Sequence, residues 1–138
     1  MGQEVRFGGA KVALFVGRAL VVLLRDDMPG LPWAGHWDFP GGGREGDESA
    51  FECVARECAE ELGLSIEKHN IVWQRVFETA DGVNWFFVAQ LPVGTEAEIV
   101  FGNEGQGWQL MEVAEYLSHP RAIPRFQKRL RIALESGA

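Results

Sequence analysis

Ser49 and Gly63 bracket the stretch that most restricts what this chain can become. Ser49, with Glu52 at the third position after it, has the capping-box spacing that satisfies two orphan amide donors at a helix start. Gly63 suits a left-handed helix stop, and Leu64 behind it can fold back on the last turn. The spacing predicts a helix from about Ala50 to Leu62. At about 100° per residue, Phe51, Val54, Ala55, Cys58 and Leu62 fall on one stripe, the face that packs. Glu57, Glu60 and Glu61 share another face. Like charges at that spacing destabilise a helix by about a few tenths of a kcal/mol per pair, so something should offset them.

Hard divalent cations offset such repulsion directly. Mg²⁺ takes oxygen ligands, keeps several waters and is shared between a carboxylate or two and substrate phosphates. A solvated acidic face is the competing reading, and an isolated Glu-Glu pair would favour it. Arg56 changes that balance, because a guanidinium that cannot lose its proton can hold a neighbouring carboxylate in a set orientation. Gly41, Gly42 and Gly43 let the backbone approach a metal or phosphate closely, with a plain tight turn as the alternative.

The flanking sequence reads as alternating strands and helices. Lys11 to Val16 and Ala19 to Arg25 are strands separated by Gly17-Arg18, and residues 26–36 form a long loop rich in turn dipeptides. Trp37 to Pro40 is a brief extended segment. Ile71 to Thr79 and Asn84 to Leu91 flank Asp81-Gly82, a strong hairpin signal. Residues 92–107 read mainly as loop with a short strand at Ile99 to Phe101, and the extended pattern resumes at Trp108 to Met111. A short helix is expected over Glu112 to Leu117, and a last helix begins near Pro124 with Phe126, Leu130, Ala133 and Leu134 at helical spacing. This order predicts an α/β layout with a mixed sheet between helices.

Composition narrows the partners. A chain of 138 residues, 46% of them hydrophobic, is the size of one domain with one core, so a single unit over residues 1–138 is expected. A net charge of -7 repels a phosphate backbone, which argues against generic nucleic-acid or membrane-surface binding. A small phosphorylated ligand stays compatible, because carboxylate-held metal inverts the local charge. Cys53 and Cys58 point in different directions on one helix, neither a disulfide nor a zinc pattern. No signal-peptide pattern opens the chain and no apolar run approaches the roughly 20 residues of a membrane span, so the cytoplasm is the expected location.

The central segment resembles the Nudix box: Gly, five residues, Glu, seven residues, then Arg-Glu-hydrophobic-any-Glu-Glu-any-Gly-hydrophobic. Gly42, Glu48, Arg56, Glu57, Glu60, Glu61, Gly63 and Leu64 stand at every specified position. Cys58 is the one departure, a small hydrophobe where a larger aliphatic residue is usual. Trp37 to Gly42 is similar to the usual lead-in, and the element order resembles the family's α/β/α sandwich. The resemblance implies that Glu57, Glu60 and Glu61 bind divalent metal, Mg²⁺ with Mn²⁺ as the alternative, beside a backbone carbonyl near Gly41 or Gly42. It makes Glu48 a further ligand candidate and gives Arg56 the task of orienting Glu57.

By the same resemblance the expected reaction is hydrolysis of a nucleoside diphosphate linked to another group. Metal neutralises the pyrophosphate and activates water while a carboxylate takes the proton. Glu104, in Gly-Asn-Glu-Gly-Gln-Gly, is the candidate base from a late loop, with an ordinary loop glutamate as the alternative. Arg25 resembles a phosphate-binding arginine of the MutT-type branch, against a solvated strand end. Trp33, Trp37, Phe39 and Trp85 are candidates to stack on a nucleobase, of which one or two at most would do so. Arg125 and Arg129 read as a solvated helix face. No proline or tyrosine stands where ADP-ribose or diadenosine polyphosphate hydrolases have one, and Leu31 replaces the arginine of the coenzyme A pattern. Elimination leaves a nucleoside triphosphate, canonical or oxidised, as the first choice. A nucleotide sugar or another nucleoside diphosphate derivative is the alternative substrate, and a non-catalytic nucleotide-sensing module the alternative function. Homodimers are common among relatives, so a homodimer is carried as an expectation with no segment to mark its interface.

Overall fold

The computed structural model describes residues 6–138; the first five residues of the unit expected over 1–138 lie outside the described residues. Strands β1 (Gly9–Val16) and β2 (Ala19–Leu24) pair antiparallel across the Gly17-Arg18 turn, as their spacing predicts. Beyond the long loop come β3 (Trp37–Asp38) and β4 (Gly41–Gly43), then helix α1 (Ala50–Leu62). The Asp81-Gly82 hairpin joins β5 (Ile71–Thr79) to β6 (Gly82–Leu91), followed by β7 (Gly107–Glu112), α2 (Val113–Ser118) and α3 (Pro124–Glu135).

One mixed sheet runs β3-β2-β1-β6-β5, with β4 pairing to β1 and β7 to β2. All pairings are antiparallel except β1 with β6. Period-two alternation divides the central strands between two cores. Val12, Leu14, Val21, Leu23, Phe87 and Ala89 meet the buried stripe of α1 on one side. Ala13, Leu20, Val22, Phe86 and Val88 meet Tyr116 of α2 and Phe126, Leu130 and Ala133 of α3 on the other. The result is the α/β/α sandwich expected from the element order. Among the described residues no helix is long and apolar enough to cross a membrane.

Helix α1 begins and ends where its local signals place it. Ser49 Oγ accepts from the Glu52 amide at 3.1 Å, and Glu52 Oε1 accepts from the Ser49 amide at 2.8 Å. Gly63 takes φ 64° and ψ 19°, and its N–H donates to the Ala59 carbonyl. Cys53, absent from the expected stripe, is fully buried with Val54 and Cys58, whereas Phe51 and Ala55 lie at its margin. Both cysteines are free.

The strand expected at Ile99 to Phe101 does not form. The amides of Val100 and Gly102 instead donate to the carbonyls of Leu62 and Glu61, both at 2.9 Å. Those are orphan acceptors of the last helical turn. Helix α1 thus takes the donors that a strand would have given to a sheet, and the late loop is tied to its end. Replacing Ser49 with Ala is expected to destabilise the protein by about 1 kcal/mol. Urea unfolding should show a lower midpoint with unchanged slope.

Candidate active site

Strand β4 carries the backbone into the site by two close approaches. At Gly41 φ is 136°, and a Cβ would fall 2.1 Å from the Ala10 carbonyl oxygen of the neighbouring strand. At Gly42 a Cβ would fall 2.7 Å from the Glu57 carboxylate. No side chain fits at Gly41, where the obstacle is backbone, whereas one at Gly42 would displace the Glu57 carboxylate from its place; the first glycine is required for contact between β1 and β4, the second for the position of Glu57.

Arg56 is the centre of the acidic face. Nε and Nη2 meet Glu48 Oε2 and Oε1 at 2.6 and 3.1 Å, and Nη2 also donates to the Gly43 carbonyl at 2.8 Å. Nη1 donates to Glu57 Oε2 at 3.0 Å and Glu60 Oε1 at 2.8 Å. Charge-assisted bonds contribute about 1.5–3 kcal/mol in favourable cases, and less where water reaches them. Even reduced, they outweigh the like-charge repulsion along the helix. The Arg56 hydrogen bond holds the Glu48 carboxyl below the usual range. Glu57 behaves oppositely, because burial raises its pKa more than Arg56 lowers it. Burial also pushes Glu61 up to about 7, although its Oε1 accepts from the Gly41 amide at 2.9 Å.

An open cleft of about 640 Å³ lies over this face. Its acidic wall is Glu57, Glu60, Glu61 and Glu104, floored by Gly41 to Gly43. Glu104 is brought in because its loop is tied at both ends: the Gln106 amide donates to the Leu24 carbonyl at 2.8 Å, and Gly102 is held by α1. The basic wall of the cleft is Lys11 and Arg25, joined through Asp38. Lys11 Nζ lies 3.1 and 3.0 Å from the two Asp38 oxygens, and Arg25 Nη1 lies 3.1 Å from Oδ2. The buried Asp38 Oδ1 also accepts from the Phe39 amide at 2.7 Å. Two cations on one carboxylate leave that wall net positive.

Lys11 and Asp38 were not among the residues singled out from sequence. The available signal was a lysine inside an otherwise apolar strand, since a charge there requires a partner.

Several expected contacts are corrected. Glu48 does not line the cleft, because both of its oxygens are occupied by Arg56 and the Glu45 amide. Phe39 is fully buried, stacked on Tyr116 at 4.6 Å, and has no face to offer a base. Trp37 packs beside His119, and Trp85 stacks on Phe87 on the α1 side; neither lines the cleft. Of the four candidate aromatics only Trp33 borders an adjoining hollow, with Lys11, Arg25 and Asp38. It is 46% exposed and holds φ 54°, a strained value for a bulky residue. Arg129 is buried rather than solvated, its guanidinium over the rings of Phe77 and Phe126.

Hard oxygen donors suit Mg²⁺ or Mn²⁺. Glu57 Oε1 and Glu61 Oε2 accept no hydrogen bond from the described residues, which leaves both available. Among the described residues no three acidic, histidine or cysteine side chains already converge as a metal cage. The other oxygen of each is held, Glu57 Oε2 by Arg56 and Glu61 Oε1 by the Gly41 amide. The donor set fits a divalent ion by its chemistry, with Glu60 held beside it by Arg56.

A family model described as the NUDIX domain matches residues 6–131. The chain therefore belongs to the Nudix hydrolase family, enzymes that act on nucleoside diphosphate derivatives and generally use divalent metals. Its fold is similar to that of the MutT protein from Methanosarcina mazei, with 24% identity, 96% of each chain covered and a TM-score of 0.73. It is similar also to a bifunctional NMN adenylyltransferase/ADP ribose pyrophosphatase from Francisella tularensis at 17% identity and TM-score 0.79. That match covers 99% of this chain but 43% of the longer protein, so the chain spans less than half of it. A C. elegans Ap4A hydrolase matches at 17% identity and TM-score 0.69, over 90% of this chain and 93% of that one. No curated protein sequence matches the chain.

The raised Glu61 pKa sets a sign for stability. In metal-free protein the native state holds this proton while the unfolded state has released it, between pH 4.5 and about 7. The contribution of Glu61 is fully present below 4.5 and is lost as pH rises through about 7. Chelator-treated wild type should lose stability across that window in urea titrations, and Glu61→Gln should flatten the loss.

Proposed function

We propose that this chain is a divalent-metal-dependent pyrophosphohydrolase that converts a nucleoside triphosphate, canonical or oxidised, to the monophosphate and pyrophosphate. The observation that carries the reading is the lining of the cleft: carboxylates of α1 and the Lys11–Arg25 pair border one open gap together with the glycine backbone of β4. Such a gap suits a polyphosphate whose charge is shared between metal on one side and ammonium and guanidinium on the other. Glu57, Glu60 and Glu61, with backbone oxygen near Gly42, would hold the ion. A bound divalent cation supplies charge neutralisation and a water of lowered pKa.

The chain's own groups supply the rest. Lys11 and Arg25, braced by Asp38, bind phosphate oxygens and turn the polyphosphate toward the acidic wall. Arg56 keeps Glu57 and Glu60 in orientation. Glu104, facing the cleft from the late loop, accepts the proton of the attacking water. Trp33, presented by a strained backbone, offers a ring on which the base stacks. A nucleoside diphosphate derivative is a second reading, supported by a groove that continues from Lys11, Gly42 and Gly43 toward Arg125 and Arg129.

A panel of nucleoside triphosphates, nucleotide sugars and dinucleotides with Mg²⁺ or Mn²⁺ tests both readings through the products formed. Release of pyrophosphate from triphosphates supports the first; turnover of none of the panel would refute hydrolysis. Glu57→Gln is expected to lower kcat by about 10²-fold or more with circular dichroism unchanged. Excess chelator should abolish turnover in wild type and added metal restore it.

A further inference from the structure

Arg129 is a charge placed where a packing residue would serve. It is 5% exposed, with its guanidinium carbon 4.7 Å from the Phe77 ring centroid and 5.8 Å from that of Phe126. Among the described residues it has no carboxylate partner and no hydrogen-bond acceptor. Burial, with the like charge of Arg125, holds its pKa down to about 10. An arginine used only to cover apolar surface keeps its head in water. Arg129 instead keeps its head over the Phe77 and Phe126 rings and lines a cavity of about 410 Å³ between β5 and α3.

That cavity concentrates cations in a chain of net charge -7. Arg75, Arg125 and Lys128 line it with Arg129. Arg75 lies over the same Phe77 ring, 5.3 Å from its centroid. The counter-charges are few: Glu78 on the wall, and Asp81, 3.8 Å from Arg125 and 83% exposed at its side chain. Guanidinium forks beside an ammonium are suited to tetrahedral oxyanions. Arg125 and Arg129 also line the groove that runs past Lys11, Gly42 and Gly43, residues shared with the catalytic cleft.

We propose that the cavity between β5 and α3 is an anion site that takes a phosphate group, gripped by Arg129 together with Arg75, Arg125 and Lys128. The phosphate is either free in solution or carried at the far end of a substrate whose diphosphate lies in the cleft. The second source rests on the function proposed above; the site itself does not.

Inorganic phosphate titrated into chelator-treated protein at constant ionic strength, with chloride as control, tests the site. A saturable rise in Tm and amide shifts confined to β5 and α3 are expected in wild type and in Glu57→Gln. Both should vanish in Arg129→Gln and in the Arg75→Ala/Lys128→Ala double variant, whose exposed positions leave the fold intact. Phosphate acting no more strongly than chloride, or an effect that survives in the double variant, overturns the proposal. NADPH and NADH, which differ by one remote phosphate, separate the sources. If the substrate carries the anion, the double variant raises KM for NADPH by about tenfold and leaves that for NADH. An equal KM response in both assigns the site to free phosphate. Phosphate binding retained with no turnover of any nucleotide would refute hydrolysis and leave the anion site standing.

Discussion

The architecture around the cleft depends on Arg56. Three glutamates on adjoining positions of one helix, with Glu48 leading into it, would repel one another and splay outward. One guanidinium joins Glu48, Glu57 and Glu60 to the Gly43 carbonyl, which ties the loop before α1 to the exposed face of α1 itself. Because Nε and Nη2 are spent on Glu48, the remaining nitrogen meets Glu57 and Glu60 from a set direction. Lysine carries the same charge without the planar fork that bridges four groups.

The opposite wall follows similar physics at greater depth. Asp38 is buried and accepts from a backbone amide and two cations, so its lone pairs are satisfied without water. Breaking such a buried cluster by removing one partner generally costs about 3–5 kcal/mol, since a charge is left uncompensated. That rigidity matters to function, because Lys11 comes from the middle of β1 and Arg25 from the end of β2, and only Asp38 brings both to one rim. The cleft is therefore polarised by construction, acidic on the helix and basic on the sheet. The anion site between β5 and α3 adjoins, through Arg125 and Arg129, the groove that runs past Lys11.

Much of this was legible in the chain. The capping box at Ser49, the stop at Gly63 and the Asp81-Gly82 hairpin are signals confined to a few neighbouring residues, and each appears where it was read. The acidic face of α1 was legible for the same reason, since helical period alone decides which carboxylates stand together. The errors concern residues whose surroundings arrive from elsewhere. Ile99 to Phe101 has the composition of a strand, but the end of α1 offered unpaired carbonyls that a local reading does not see. Phe39, Trp37 and Trp85 are aromatic in a candidate region, yet which side of the sheet each faces is set by pairing register. Arg129 has helical spacing compatible with solvent, and only the placement of Phe77 on β5 turns that side inward.

The sequence by itself determined the helix, its bounds, its charged face and the family those residues define, because these depend on interactions within a turn or two of chain. Tertiary structure alone decided which distant groups meet: Lys11 with Arg25 through Asp38 and Glu104 with Glu61 at the cleft, and Arg129 with Arg75 at the cavity beside α3. The physical reason is that a buried charge must find its partner across the fold, and the sheet order and register, not sequence separation, set which partners are within reach.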